Sequence, residues 1–329
     1  MAAFRSYHHS FEQVTGSQPH LQLLLEKDYP FAFEAGIFVP SKDELFITSS
    51  PFKDAEGTTT VHVSKITFNI VDGQEKVGHE VLPNGQMAMA NGGTNSGNDL
   101  LFCAQGSFDL PSGIFSMKSD QPYESKLVIS DFYGRPFNSV NDVAVHSDGS
   151  IWFTDPAYGF GEGYRPPPLL PNQVYRFDPA SGSIRAVADR FGHPNGICFS
   201  PDEKVVYITD TDSIWGDGSV NDARASTIYA FDVSTYSGQP FLVNRRLFAM
   251  ADNGFPDGIK CDMNGNVFSG CGDGVHVWSP GGVLIGKILV PGGVANLCFG
   301  KRGELFILNS MRLWRARLAD STRGALLKI

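Results

Sequence analysis

The chain has 329 residues, 42% of them hydrophobic, a formal net charge of -9 and no run of Lys or Arg. That balance argues against a nucleic-acid partner, and with no stretch of 18 apolar residues nothing reads as a membrane span. Gly 36, Pro 20 and Phe 25 beside only 19% charged residues favour strands and turns over helices. No long 3.6-residue periodicity is present, so the expectation is an all-β chain.

At the N-terminus, MAAFRSYHHSFEQ lacks the apolar centre of a signal peptide, which makes cytoplasmic residence the expectation. Residues 1–19 read as an extension. A phrase then recurs six times: a carboxylate or amide, an apolar run, a turn, a second apolar run. The copies start at Glu34, Asn91, Asn141, Asn195, Asp257 and Asn296, and examples are VNDVAVHSDGSIWFTD and PNGICFSPDEKVVYITD. Ser147-Asp148-Gly149, Met263-Asn264-Gly265 and Lys301-Arg302-Gly303 supply hairpin turns inside them. Third strands follow as SKITFNIV, SGIFSMK, NQVYRFDP, STIYAFDV, GVHVWSP and MRLWRARL, and fourth strands as segments such as KVGHEVL and LIGKILV.

Six units of about four antiparallel strands predict a six-bladed β-propeller, a single domain over 1–329. The sixth blade lacks an obvious fourth strand. Either the C-terminal GALLKI or the N-terminal LQLLLEK supplies it, the latter closing the ring. Cys103, Cys198, Cys261, Cys271 and Cys298 are odd in number and widely spaced, so they read as reduced core thiols rather than disulfides or a zinc site.

Each repeated polar residue begins the innermost strand of its blade, so all six fall at one end of the central channel. Two acids, Glu34 and Asp257, and four amides present only oxygen. Such a set favours Ca²⁺ over zinc or iron, with Mg²⁺ and Mn²⁺ as alternatives and Zn²⁺ the least suited. Taken singly, Asn-Gly and Asp-Gly are turn pairs; six polar positions in register favour ligation. Asp155 and Asp210 are expected at the ends of second strands on the same face, orienting Asn141 and Asn195. The long segments after Tyr158 and Asp212 are expected to wall the site with Tyr158, Tyr164 and Trp215.

VNDVAVHSDGSIWFTDPAYG, HPNGICFSPDEKVVYITDTD and FPDGIKCDMNGNVFSGCGDGVHVWSPGG closely resemble the gluconolactonase, senescence-marker-protein and luciferin-regenerating-enzyme family. The resemblance runs from about Glu34 to the end of the sixth copy. It implies a six-bladed propeller with one catalytic Ca²⁺ or similar ion, and hydrolysis of a lactone. Carried over by position, the metal ligands are Glu34, Asn141, Asn195 and Asp257, and Asp257 also exchanges protons. Asn91, Asn141, His193 and Tyr158 are assigned to the substrate, with His193 and Asp210 as rival proton carriers. Two departures stand out. Ala35-Gly36 follows Glu34 where many members have Gly-Pro, and Ser139 stands where the animal sugar lactonases carry arginine. A substrate less hydroxylated than a sugar lactone follows from the second.

The expected reaction is metal-assisted attack of water on a lactone carbonyl, since no G-x-S-x-G nucleophile elbow exists. Competing readings are a phosphotriester-type hydrolase, an isomerase or cyclase on the same scaffold, and a non-catalytic binding propeller. Oligomeric state is not legible.

Overall fold

A computed structural model describes residues 3–329. Six small antiparallel sheets stand around a central channel as a six-bladed β-propeller with four strands per blade. Their innermost strands are Glu34–Val39, Ala90–Ser96, Val143–Val145, Pro194–Phe199, Ile259–Cys261 and Asn296–Phe299. The predicted hairpins and third strands lie in register with them; Val143 pairs with Phe153, and Ile151 with Phe177. Among the described residues no helix is long and apolar enough to cross a membrane.

Inner strands are buried on both faces, because each touches the lumen on one side and a neighbouring blade on the other. Outer strands alternate or face water, as along Gln239–Met250. The core is therefore divided into clusters, several of them wedged between blades. Phe46 and Ile37 of the first blade pack on Phe102, Phe115 and Met117 of the second. Full burial of one such side chain contributes roughly 1.5–3 kcal/mol.

The N-terminal strand His20–Glu26 pairs antiparallel with Arg312–Arg317, placing Leu21 opposite Ala316 and Leu23 opposite Trp314. Of the two expected closures, LQLLLEK is the one that seals the ring. GALLKI instead runs across one mouth of the channel, where Ala325 N donates to Cys261 O at 2.9 Å. Residues ahead of the ring also pack onto it. Phe4–Ser6 adds a fifth strand beside Leu284–Leu289. The short helix Ser10–Thr15 seats Phe11 over Gly286, where a Cβ would meet the ring at 2.4 Å.

A threonine near the end of three second strands ties its blade to the next. Thr48 Oγ1 donates to Asn91 O at 3.0 Å, Thr154 Oγ1 to Asn195 O at 2.7 Å, and Thr209 Oγ1 to Asp257 O at 2.9 Å. Each hydroxyl therefore grips the backbone of the polar residue that starts the next blade. The glycines after these polar residues serve the same close approach. A Cβ on Gly92 would lie 2.5 Å from Asn141 O, one on Gly196 2.5 Å from Asp257 O, and one on Gly258 2.3 Å from the Asn296 side chain. None of the three has a positive φ, so neighbour contact rather than turn geometry demands glycine there.

Candidate functional site

All six polar residues are buried at one end of the channel: Glu34, Asn91, Asn141, Asn195, Asp257 and Asn296. Register shifts interrupt the inner strands beside three of them, between Ala35 and Ile37, opposite Phe102 and Ala104, and between Pro194 and Ile197. Such bulges turn side chains off the regular pleat. At the first, Ala35 adopts φ 67° directly after Glu34, a backbone strain of the kind concentrated at functional sites.

Glu34 and Asp257 sense each other across the lumen. Burial, then the charge of Asp257, drives the Glu34 carboxyl well above its ordinary range, while the Asn296 amide opposes the rise. Asp257 is pushed up to about 7, by burial first and by the charge of Asp142 second, with the Asn195 carboxamide pulling the other way. Asn296 Nδ2 donates to Glu34 Oε2 at 2.6 Å, and Asn296 Oδ1 accepts from Leu297 N at 2.7 Å. Asn296 thus orients Glu34.

Three buried oxygens of the ring have no hydrogen-bond partner: Asn91 Oδ1, Asn141 Oδ1 and Asp257 Oδ1. Unpaired buried acceptors are costly, and two carboxylates held close in a low-dielectric lumen are costlier still. A divalent cation satisfies both at once, and oxygen-only donors suit a hard one. The donor set fits the ion expected from sequence. Among the described residues no three His, Cys, Asp or Glu side chains gather as a metal cluster; the ring joins two acids with carboxamides instead.

Asp155 and Asp210 end their second strands and bind backbone. Asp155 accepts from Asn138 N at 3.0 Å and Ser139 N at 2.8 Å; Asp210 accepts from Gly192 N at 3.1 Å and His193 N at 2.8 Å. Each clamps the segment that leads into its own blade's ring residue, Asn141 or Asn195. With its two oxygens so occupied, Asp210 is poorly placed to take a proton from water.

One wall comes from the two long loops. The phenol of Tyr158 shares a hydrogen bond with Thr211, and its ring stacks on His193 at 4.9 Å. Burial raises its pKa; the Thr211 hydrogen bond opposes this, and the charge of Asp257 adds to the rise, which places the phenol beside the ring. Trp215 meets His193 edge-on at 5.3 Å, and Arg224 pairs with both oxygens of Asp212 at 2.9 Å. His193 is buried with its pKa lowered by desolvation, so it is a neutral ring within an aromatic stack. The loops touch through glycines, for a Cβ on Gly216 would lie 2.7 Å from Gly161 C. Tyr164 sits apart, bonded to Gln105. Ser139 Oγ accepts from Gly159 N at 2.8 Å, so its hydroxyl fixes the loop rather than reaching for substrate.

Asp142 escaped the sequence reading. It is buried, its oxygens accept from Val143 N at 2.9 Å and Ile197 N at 3.1 Å, and Lys260 Nζ approaches to 3.9 Å. Its charge raises the pKa of both Glu34 and Asp257. A signal existed: the position after the polar residue holds Ala35, Gly92, Gly196, Gly258 or Leu297 in the other copies, and an acid only here. A cavity of about 160 Å³ opens beside the ring, lined by Phe33, Phe255, Asp257 and Asn309 among others.

The family described as SMP-30/Gluconolactonase/LRE-like region matches residues 60–310. A lactonohydrolase, oryL, of Aspergillus oryzae is 27% identical over 92% of this chain and 71% of its own length. A gluconolactonase of Zymomonas mobilis is 30% identical over 61% of this chain, and the match spans just over half, 56%, of that protein. The structure of a gluconolactonase from Xanthomonas campestris superposes with a TM-score of 0.75 at 30% identity, covering 97% of this chain and 95% of that one.

Proposed function

Because the chain belongs to the SMP-30/gluconolactonase/LRE-like family, we propose that it is a divalent-cation-dependent lactonase whose ion, Ca²⁺ by choice of donors, is held by Glu34, Asn141, Asn195 and Asp257. The single observation behind this reading is the trio of unpartnered oxygens on Asn91, Asn141 and Asp257, set in a lumen with two mutually repelling carboxylates. When bound, the cation would polarise the lactone carbonyl and favour attack at its carbon.

The chain's own groups divide the remaining work. Water bonds to the carbonyl carbon and gives a proton to the Asp257 carboxylate; the acyl–oxygen bond of the ring then breaks, and Asp257 returns the proton to the departing oxygen. The product is a hydroxy acid. An affinity for protons near neutrality suits this exchange; ligation of the cation draws it lower. Asn91 and Asn141 orient the substrate, while Tyr158 and the His193 ring behind it exclude water from one side. Enclosed between Tyr158 and Trp215 and with its proton affinity lowered by burial, His193 serves as wall rather than base.

Hydrolysis of a lactone panel tests the reading, followed before and after EDTA treatment and on return of Ca²⁺, Mg²⁺, Mn²⁺ or Zn²⁺. Turnover lost on chelation and restored by an oxygen-preferring ion is expected. Full turnover in metal-free protein would eliminate it.

A further inference from the structure

A cavity of about 300 Å³ lies at the end of the channel away from the polar ring. Its walls include Val145–Ser147, Phe199–Pro201 and Asn95–Gly97, the far ends of inner strands that begin at the ring. The surface is mainly apolar, with Phe38, Ala144, Ile197, Phe199 and Phe299 facing in. Segment 324–328 crosses below it, tied to the propeller by Ala325 N to Cys261 O at 2.9 Å and a bridge between Asp262 and Gly324.

Lys260, on the fifth blade's inner strand, forms part of this lining. Its nearest acid is Asp142 at 3.9 Å, beyond hydrogen-bond range, and both oxygens of that acid already accept backbone N–H groups. The other charges of the lining stand elsewhere: Glu203 is engaged at the rim by Ser147 N at 2.9 Å and by His146 Nε2 at 3.5 Å, and Lys328 belongs to the crossing segment.

An apolar chamber with one cation short of a full partner selects its ligand by chemistry. A neutral hydrocarbon leaves the ammonium without an acceptor, an inorganic anion leaves the aromatic walls wet, and a polyol finds too few polar groups. The volume falls at the small end of ligand pockets, roughly 300–1,000 Å³. We propose that this cavity is a second binding site, separate from the polar ring, for a small monocarboxylate with an apolar body. The carboxylate pairs with Lys260 and the body packs among Phe38, Phe199 and Phe299. This site does not depend on the lactonase reading.

Titration of the full chain with octanoate, in the presence of Ca²⁺ and followed by calorimetry, provides the test, with 1-octanol and octylamine as uncharged and cationic counterparts. Octanoate is expected to bind at one site per chain and more tightly than either. In Lys260→Met its affinity should fall about tenfold or more while that of 1-octanol changes little. A diazirine-bearing medium-chain carboxylate should label peptides containing Phe199 or Leu326. Absence of octanoate binding, equal affinity in K260M, or label confined to peptides holding Phe33 or Asp257 would overturn the proposal. Should K260M fail to fold, the octanoate/octanol difference and the labelled peptides decide the matter on the unaltered protein.

Discussion

Asn296 of the last blade donates its amide to Glu34 of the first at 2.6 Å, across a sequence separation of 262 residues. One hydrogen bond therefore spans the seam where the ring closes, and it fixes an acid proposed to hold the cation. Groups that orient metal ligands typically change metal affinity 10–100-fold when removed. Asn296→Ala is accordingly expected to weaken Ca²⁺ binding by about tenfold or more, with the β-sheet circular dichroism unchanged. Unaltered affinity by calorimetry would show that Glu34 needs no such support.

Removing either acid separates folding from function. Glu34→Gln removes an acid whose ionisation burial and Asp257 disfavour, so at alkaline pH the metal-free protein should melt at a higher temperature than the parent. The same variant should lose most of the thermal shift on adding Ca²⁺ and at least about a hundredfold in kcat/KM. Asp257→Asn is expected to fold and to lose turnover too, since it removes the proposed proton carrier. A D257N enzyme with full turnover would place that role on another group.

The pH dependence has a definite sign. Unfolded, Asp257 titrates at its ordinary 3.8; folded and metal-free it titrates near 7, and Glu34 is raised as well. Above the ordinary value the native state keeps protons that the unfolded chain has lost, so stability without metal falls as pH rises from about 4 through about 7, where Asp257 titrates. Asp155, which burial lifts to about 7, adds to the same slope. Cation binding must expel those ring protons, so calorimetry near pH 6 in buffers of different ionisation enthalpy should show net proton release that fades above pH 8. Metal-free stability that climbs over this window would contradict the buried acids.

The fold was readable because repeat period and strand alternation are local properties. Six copies with hairpin turns dictate six blades, and LQLLLE is an apolar segment with no partner except a blade lacking its outer strand. Inter-blade contacts left weaker traces. Thr48, Thr154 and Thr209 look like ordinary strand residues, and the glycines after the ring residues looked like turn formers until their neighbours were in place. Asp142 and Lys260 lie on separate inner strands, so nothing local announces that they meet. Phe4–Ser6 and the helix Ser10–Thr15 were read as mere extension because a three-residue strand and a six-residue helix carry too little periodicity to register.

Thr209 tests the threonine clamp. Its Oγ1 donates to Asp257 O at 2.9 Å and accepts from Gly196 N at 2.7 Å. Thr209→Val keeps the shape but leaves a buried carbonyl and a buried N–H unpaired, with a cost of about 1–3 kcal/mol for each group left unsatisfied. Chemical denaturation should show that loss, and Ca²⁺ affinity should fall with it because Asp257 loses its anchor. A stable variant with normal affinity would mean the blades are set by packing alone.

Trp215 is expected to bias which lactones the proposed site prefers. It is 42% exposed, lies against His193, and carries Arg224 over its face at 5.1 Å, so one side of the indole is held while much of the ring stays open to solvent. Ser139, occupied with Gly159 N, offers no charged donor to a polyol. Lactones with an aromatic or alkyl substituent are therefore expected to outperform gluconolactone in kcat/KM. In Trp215→Ala the KM for an aryl lactone should rise about tenfold, the scale of a lost aromatic contact plus its buried area, while kcat changes little because Trp215 packs on His193 and Arg224 rather than on the proposed proton carrier. A fall in kcat at constant KM would instead make Trp215 part of the chemistry, and a preference for gluconolactone in the parent enzyme would show that the hydroxyls are read by groups elsewhere on the ring.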